Sequence, residues 1–245
     1  MKKLITTGAV ITMVLGTFSA NAGDLTASAG LDLNTAYIFR GATVNDDVNL
    51  NPTMGVDLGS GLSVGTWANF NTDSSDFDEV DLTAGYALPM GENAPVGVSL
   101  GYTEYLYPNA SGVNAEGANT GATAADREVG IVAACSGGTI LQPSLGVYLG
   151  IDGGIDEQVY LELTSGYTVA LSEDLGLDLG ATLGYIADGG LANGETGLSH
   201  LTLSAGTGVE TGFGTANIGV SYIVETDDKV LTVDEDLFLT VGIAL

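Results

Sequence analysis

The chain has 245 residues, with 31 acidic side chains against 5 basic ones and a formal net charge of -26. That balance excludes nucleic acid as a partner, because affinity there comes from Lys and Arg neutralising phosphates. One cysteine, Cys135, excludes an intrachain disulfide.

The first residues, MKKLITTGAVITMVLGTFSANA, carry a basic start at Lys2-Lys3, an apolar centre and a small-residue site at Ala20-Asn21-Ala22. This is the pattern of a secretory signal peptide over residues 1–22, leaving residues 23–245 as one domain. From residue 23 on, the basic residues are Arg40, Arg127 and Lys229, facing all 31 acids. Mean hydropathy is +0.30, yet no later segment approaches the roughly 18 apolar residues of a spanning helix. The apolar residues must therefore be spread by alternation.

Residues 25–40 set the template. Every second residue from Leu25 reads Leu, Ala, Ala, Leu, Leu, Thr, Tyr, Phe, while the intervening set is Thr, Ser, Gly, Asp, Asn, Ala, Ile, Arg. Only a strand, with side chains alternating between faces, separates these sets. After a loop at Gly41–Asp47, a second strand (48–58) alternates through Val48, Leu50, Met54 and Val56, with Pro52 weakening it locally. Gly59-Ser60-Gly61 turns the chain into a third strand (62–70) that places Trp67 on its polar phase. A polar loop, Asn71–Asp78, precedes a fourth strand (80–88), and Pro89–Pro95 closes it. The fifth strand covers 96–103. The longest loop, Pro108–Asp126, follows and is the candidate for an inward plug. A sixth strand covers 128–135, with Cys135 on the apolar phase as a small buried hydrophobe. The seventh (141–149, weakened at Pro143) and eighth (158–169) flank Asp152-Gly153-Gly154. The ninth (175–185), tenth (200–210), eleventh (216–224) and twelfth (237–245) complete the chain.

Twelve strands with no helical window predict an all-β fold, a transmembrane antiparallel up-and-down β-barrel. Connections alternate between short turns and longer polar loops, the asymmetry of outer-membrane barrels. A soluble β-sandwich also alternates, but three features favour the barrel. The polar face is Gly, Ser, Thr and Asn rather than Lys and Glu. Apolar-phase aromatics gather at strand ends, with Tyr37, Phe39, Phe70, Tyr102, Tyr185 and Tyr222 towards the long loops and Tyr86 and Tyr167 towards the short turns. The chain is also exported by its leader and ends on an apolar alternating strand. Outer-membrane lipid is accordingly the expected surrounding.

The pieces Tyr37-Ile38-Phe39-Arg40-Gly41 and Gly65-Thr66-Trp67-Ala68-Asn69, with Pro52 and Asp57 between them, resemble an uncharacterised bacterial family labelled Gcw_chp. The resemblance covers about residues 25–86. It implies an outer-membrane β-barrel and brings no activity, ligand or catalytic residue.

The inward phase carries Asp32, Asp57, Asp81, Glu128, Glu162, Asp178 and Glu210 against Arg40 and His200. So many acids with so few cationic partners favour a wet interior, since isolated ions in a dry one cost several kcal/mol each. The expected function is a passive, narrow channel for small cations or polar solutes, because rings of carboxylates select cations. The alternative is a closed structural or surface-interaction barrel with acidic outer loops. Arg40 falls near Trp67 in register and is expected to fix the rim of the first strand, or else to contact a ligand.

Acidic loops at Asp46-Asp47 and Asp73–Glu79 offer oxygen ligands, but the spacing matches no defined calcium loop. No cofactor is implied: Gly-x-Gly spacings in Gly206–Gly214 are followed by no helix. A lipid-hydrolysing Ser–His pair is disfavoured because Ser199 and His200 adjoin and so point to opposite faces of a strand. Solute, pore radius and oligomeric state are not encoded legibly.

Overall fold

Alternation at period two runs through the computed structural model, whose strands close on themselves. The structure describes residues 18–22, 25–91, 94–113, 119–135, 141–172, 175–188, 195–231 and 233–245, with backbone alone for 18–22, 111–113 and 119–123. The barrel strands are β1 (Leu25–Asn34), β2 (Asn49–Asp57), β3 (Leu62–Asn71), β4 (Asp76–Ala87), β5 (Val96–Val113), β6 (Asn119–Cys135), β7 (Ser144–Asp152), β8 (Val159–Ala170), β9 (Gly176–Asp188), β10 (Gly197–Glu210), β11 (Thr215–Glu225) and β12 (Leu237–Ala244). Each pairs antiparallel with the next, and β12 pairs back onto β1 through Val241↔Leu33 and Ile243↔Leu31. The product is a closed twelve-stranded barrel without sheet edges. The leader expected over 1–22 lies outside the described residues up to residue 17; Phe18–Ala22 runs as a short strand antiparallel to the start of β1.

Two faces follow from the pleat. Leu31, Leu33, Met54, Leu82, Leu100, Ile131, Leu145, Leu163, Leu179, Leu203, Ile218, Leu239 and Val241 all point outward and are exposed. This is the reverse of a soluble protein and the surface a bilayer requires. The outer face also carries Tyr102, Tyr185 and Tyr222 towards one rim and Tyr86 and Tyr167 towards the other. Cys135, expected to be buried, is half-buried on this outward phase, because the apolar phase of a barrel meets lipid.

Inward positions divide by height. Near the short turns they are small and partly accessible, as at Ser63, Gly65, Gly85, Gly97, Ser99 and Thr164. Near the long loops they are buried: Asn49, Asn69, Asp81, Ser199 and His200 are at most 1 % exposed. Something fills that half of the lumen, and it is the chain between β1 and β2.

Three sequence expectations are corrected here. The first strand stops at Asn34 instead of running to Arg40. The chain bends at Thr35 and Ala36, where the Thr35 amide donates to the Leu239 carbonyl and the Thr35 hydroxyl accepts from the Leu239 amide. Residues Tyr37–Phe39 then pair with Ala42–Asn45 as a separate hairpin. At its tip Arg40 and Gly41 have φ +53 and +86, the signs at both central residues that a two-residue type I′ hairpin turn requires.

The Asn71–Asp78 loop shrinks to a turn at residues 72–75, because Asn71 Oδ1 accepts from the Asp73 and Ser74 amides and closes it locally. Glu79 thereby moves from an outer loop to the wall.

The described parts of the Pro108–Asp126 segment do not form a plug. Its two sides extend the β5–β6 ladder through Tyr105↔Asp126, Tyr107↔Ala124 and Ser111↔Thr123. Pro52, without an N–H, interrupts the β2–β3 ladder between Leu50↔Phe70 and Thr53↔Trp67. The Asn51 side chain donates instead to the Ala68 carbonyl at 3.1 Å.

Candidate functional site

The inner hairpin crosses the lumen from the β1–β2 wall to the opposite side. Tyr37 donates its hydroxyl to Glu79 Oε2 on β4 at 2.8 Å and packs its ring 5.3 Å from Trp67 on β3. Phe39 meets Tyr105 on β5 edge-on at 5.8 Å. Arg40 reaches Glu128 on β6 at 2.5 Å and Gln158, just before β8, at 3.2 Å. Its guanidinium lies 4.4 Å from the Tyr160 ring centre and 4.8 Å from that of Phe39. At Gly41 a Cβ would sit 2.5 Å from His200 Cγ on β10, so the tip fits only because Gly41 has no side chain. Tyr37 and Phe39 therefore do not belong to the outer aromatic belt.

A second inward segment braces the first. In the β11–β12 connection, Val230 and Leu231 are 1 % exposed, and Val230 packs with Tyr160 and Ile186. Ala36 clusters with Ile223 and Phe238, flanked by Ile38 and Val233. The Glu235 amide donates to Thr43 Oγ1 at 3.0 Å, joining the two segments. The far arm of the hairpin is held by Asn45, which donates to Asp78, and by Asn49, which donates to Asn45.

Arg40 is 7 % exposed at its side chain and Glu128 is 5 %. Burial pulls the guanidinium's pKa down, but the Glu128 carboxylate together with Tyr105 and Tyr160 outweighs this and holds Arg40 above its ordinary value, so it stays charged. For Tyr37, burial and then the Glu79 and Asp81 carboxylates push the hydroxyl well up, so it remains a donor. Neutral donors serve the other acids. Tyr105 donates to Glu128 at 3.2 Å, Tyr107 to Asp126 at 2.9 Å and Tyr160 to Glu162 at 3.3 Å.

Of the residues singled out in the sequence, Arg40, Asp81, Glu128 and Glu162 are brought together in this buried half. Arg40 arrives from the hairpin rather than from the rim of β1. Asp32 lies lower on β1, where its carboxylate reaches over Gly242 towards Asn217. Asp57, Asp178 and Glu210 sit towards the short turns. There Asp57 accepts from the Gly59 amide, Asp178 from Thr168 and Glu210 from Thr215. Glu79, Tyr37, Tyr105 and Gln158 belong to the site and escape the sequence reading. The only signal for Tyr105 was that the inward phase of β5 continues past Thr103.

The steric ground against a Ser–His pair also needs correction. A bulge in β10 leaves Ser199 out of the pairing between Gly184↔His200 and Tyr185↔Leu198. A Cβ on Gly184 would meet both the Ser199 hydroxyl and the His200 ring, so both side chains lie on the lumen side. They are nevertheless not bonded to each other. His200 Nε2 faces the Tyr160 hydroxyl at 3.1 Å, and its Nδ1 faces Thr202 Oγ1 at 2.9 Å. The network is satisfied when Nε2–H donates to Tyr160 and Nδ1 accepts from Thr202.

A closed greasy-walled barrel holding an inward hairpin over an acid-lined lumen defines the class: a β-barrel of the outer-membrane type. Within it, the chain belongs to the family described as "Bacterial protein of unknown function (Gcw_chp)", which matches residues 19–240. The match therefore reaches well beyond the stretch that carries the motifs.

The fold is similar to that of a COG4313 outer membrane channel from Pseudomonas putida F1, at 12% identity, with 98% of this chain and 99% of that one covered and a TM-score of 0.52. It is also similar to the NanC porin, at 11% identity over 87% of this chain and 97% of that one, with a TM-score of 0.50. Likeness at such identities concerns the fold. No curated protein matches the chain.

Proposed function

We propose that the protein is a passive channel of the bacterial outer membrane for small cations or polar solutes, closed on its loop side by the Tyr37–Asn45 hairpin. The observation that carries this reading is the charge of the lumen. Glu79, Asp81, Glu128 and Glu162 face inward in the buried half and Asp32, Asp57, Asp178 and Glu210 below it, against Arg40 from the hairpin. Carboxylates lining a passage favour cations, and the glycine- and serine-lined half near the short turns suits a water-filled vestibule. A leader cleaved after Ala22 would accompany export to that membrane. An outer membrane channel among the proteins of similar fold agrees with the reading.

The docked hairpin favours a second reading, a permanently closed barrel that presents acidic loops outside. Planar-bilayer recordings under a salt gradient separate the two. A gated channel gives rare cation-selective openings in the wild type and frequent ones when residues 37–45 are replaced by a short Gly-Ser linker. Silence of both proteins, or anion selectivity, would refute the channel.

A further inference from the structure

Arg40 is held as a ligand would be, by groups that belong to the wall. Its Nη2 donates to Glu128 on β6 at 2.5 Å and its Nη1 to Gln158, just before β8, at 3.2 Å. The guanidinium carbon lies 4.4 Å from the ring centre of Tyr160 on β8 and 5.3 Å from that of Tyr148 on β7. Among these contacts Phe39, at 4.8 Å, is the one that the hairpin itself supplies. The wall groups are also fixed by bonds that do not involve Arg40. Glu128 accepts from Tyr105 at 3.2 Å. The Gln158 amide donates to the Ile155 carbonyl and its carbonyl accepts from the Gly150 amide, each at 2.9 Å. Tyr160 meets His200 Nε2 at 3.1 Å and donates to Glu162 at 3.3 Å. Tyr148 lies over Gly130 and Gly146, where added Cβ atoms would come within 2.8 and 2.6 Å of its ring. The cage is therefore built into the barrel and does not depend on the hairpin for its shape.

We propose that this cage is a binding site for a small guanidinium-bearing solute, and that Arg40 fills it in the closed barrel as a tethered stand-in. The inference deepens the channel reading and rests on it in one respect: the hairpin must withdraw for the cage to be vacant. The chemistry of the cage selects the class of cation. Its two acceptors take N–H groups from two different nitrogens, and its rings pack against the same cation. A planar, delocalised guanidinium satisfies both demands, whereas an ammonium is a compact, strongly hydrated point charge. Aromatic contacts with a cation also gain strength where water is excluded. A solute that binds only the withdrawn form shifts the barrel towards it by mass action. Arg40, being tethered, competes at a high effective concentration, which keeps the barrel shut when solute is scarce.

The test reads binding rather than current. The full chain is refolded in deuterated detergent, and saturation transferred from the protein to the methyl protons of methylguanidinium measures its binding, with methylammonium as the matched probe. The barrel whose residues 37–45 are replaced by a Gly-Ser linker should bind methylguanidinium saturably. Methylammonium should bind it roughly tenfold or more weakly, the worth of one charge-assisted hydrogen bond. Glu128→Gln in the same background should weaken methylguanidinium by a similar factor. The wild type, with Arg40 in the cage, should bind it about tenfold or more weakly than the linker variant. Asp57→Asn and Glu210→Gln, acids near the short turns, should leave the affinity unchanged.

Equal affinity for the two cations overturns the site, as does binding that survives Glu128→Gln or falls as much with Asp57→Asn; each leaves only an acidic lumen. A linker variant that binds no methylguanidinium overturns it too. Should the linker variant fail to fold, Arg40→Ala, which vacates the cage with the rest of the hairpin present, carries the same comparison. A variant that conducts cations without binding methylguanidinium refutes the cage and leaves the channel standing. One that binds it yet stays silent in a bilayer keeps the cage and refutes the channel.

Discussion

Removing the Arg40 side chain tests whether the hairpin is held by one buried contact set. In Arg40→Ala the Glu128 carboxylate, 5 % exposed, loses its only charged partner and keeps the Tyr105 hydroxyl. Breaking a buried ion pair from one side costs about 3–5 kcal/mol, because the remaining charge stays buried. Loss of the stacking on Tyr160, Phe39 and Tyr148 adds about 0.5–2 kcal/mol. Relief of the positive φ at Arg40 does not offset this, since alanine is strained there as well. A net loss of about 4 kcal/mol shifts the ratio of docked to undocked hairpin by roughly a thousandfold.

The twelve-strand ladder does not depend on the pair, so the global melting temperature should move little. Trp67 loses its Tyr37 neighbour and meets water, so its emission shifts to the red. Openings in a bilayer become frequent. The double variant Arg40→Ala/Glu128→Ala should recover part of the loss, giving a coupling energy above about 1 kcal/mol. Unchanged Trp67 emission and unchanged conductance in Arg40→Ala would refute the assignment of Arg40 as the hairpin's latch.

Gly41→Ala places a methyl 2.5 Å from the His200 ring at a φ of +86, so it should undock the hairpin as Arg40→Ala does, with strain of about 1–3 kcal/mol; a wild-type Trp67 spectrum would count against the close fit. Leu163→Arg on the outer face, where Leu163 is 48 % exposed, should cost about 2–4 kcal/mol in refolding into lipid vesicles. Thr164→Arg, one residue along and facing the lumen, should cost far less, and equal penalties would overturn the assignment of faces. Asn51→Ala removes the donor to the Ala68 carbonyl and to Asn69, an expected loss of about 1–3 kcal/mol for the groups left unpaired. Adding Pro52→Val returns a backbone N–H to the β2–β3 ladder and should recover part of it, measured by urea unfolding; strict additivity would show that the side chain does not replace the missing bond.

The wall of the barrel was legible in the sequence because each strand has one greasy and one small or polar face, and a period of two records that difference residue by residue. The end of β1 was not legible. Tyr37 and Phe39 keep the odd, apolar phase of Leu31 and Leu33, so alternation runs unbroken through the bend at Thr35-Ala36 while the side chains leave the membrane face altogether. The one local hint was Arg40-Gly41, a dipeptide whose glycine suits a left-handed turn position. Glu79 was hidden by the loop-like composition around Asp73–Asp78, where Asn71 closes a tight turn that composition does not reveal. A β-bulge shifts register without changing the residues involved, so the shared orientation of Ser199 and His200 could not be read from their adjacency.

The two halves of the lumen solve the burial of charge differently, and the difference bears on what opening would do. Asp57 and Glu210, towards the short turns, are exposed, and water can solvate them with little help. Glu79, Glu128 and Glu162 are at most 6 % exposed and need donors from the protein. Two of those donors, Tyr37 and Arg40, come from the hairpin itself, at opposite ends of its span. The two motifs that carry the family resemblance meet at one of them, where Tyr37 stacks on Trp67. Withdrawing the hairpin would remove the Arg40 guanidinium and the Tyr37 hydroxyl together, leaving the same carboxylates to be satisfied by water and passing ions. On the proposed reading, gate and selectivity filter are therefore one set of residues: what holds the lumen shut is the cationic partner whose departure leaves it lined by acid. A variant that opens by losing Arg40 should then select cations more strongly than one that opens with Arg40 kept in the lumen.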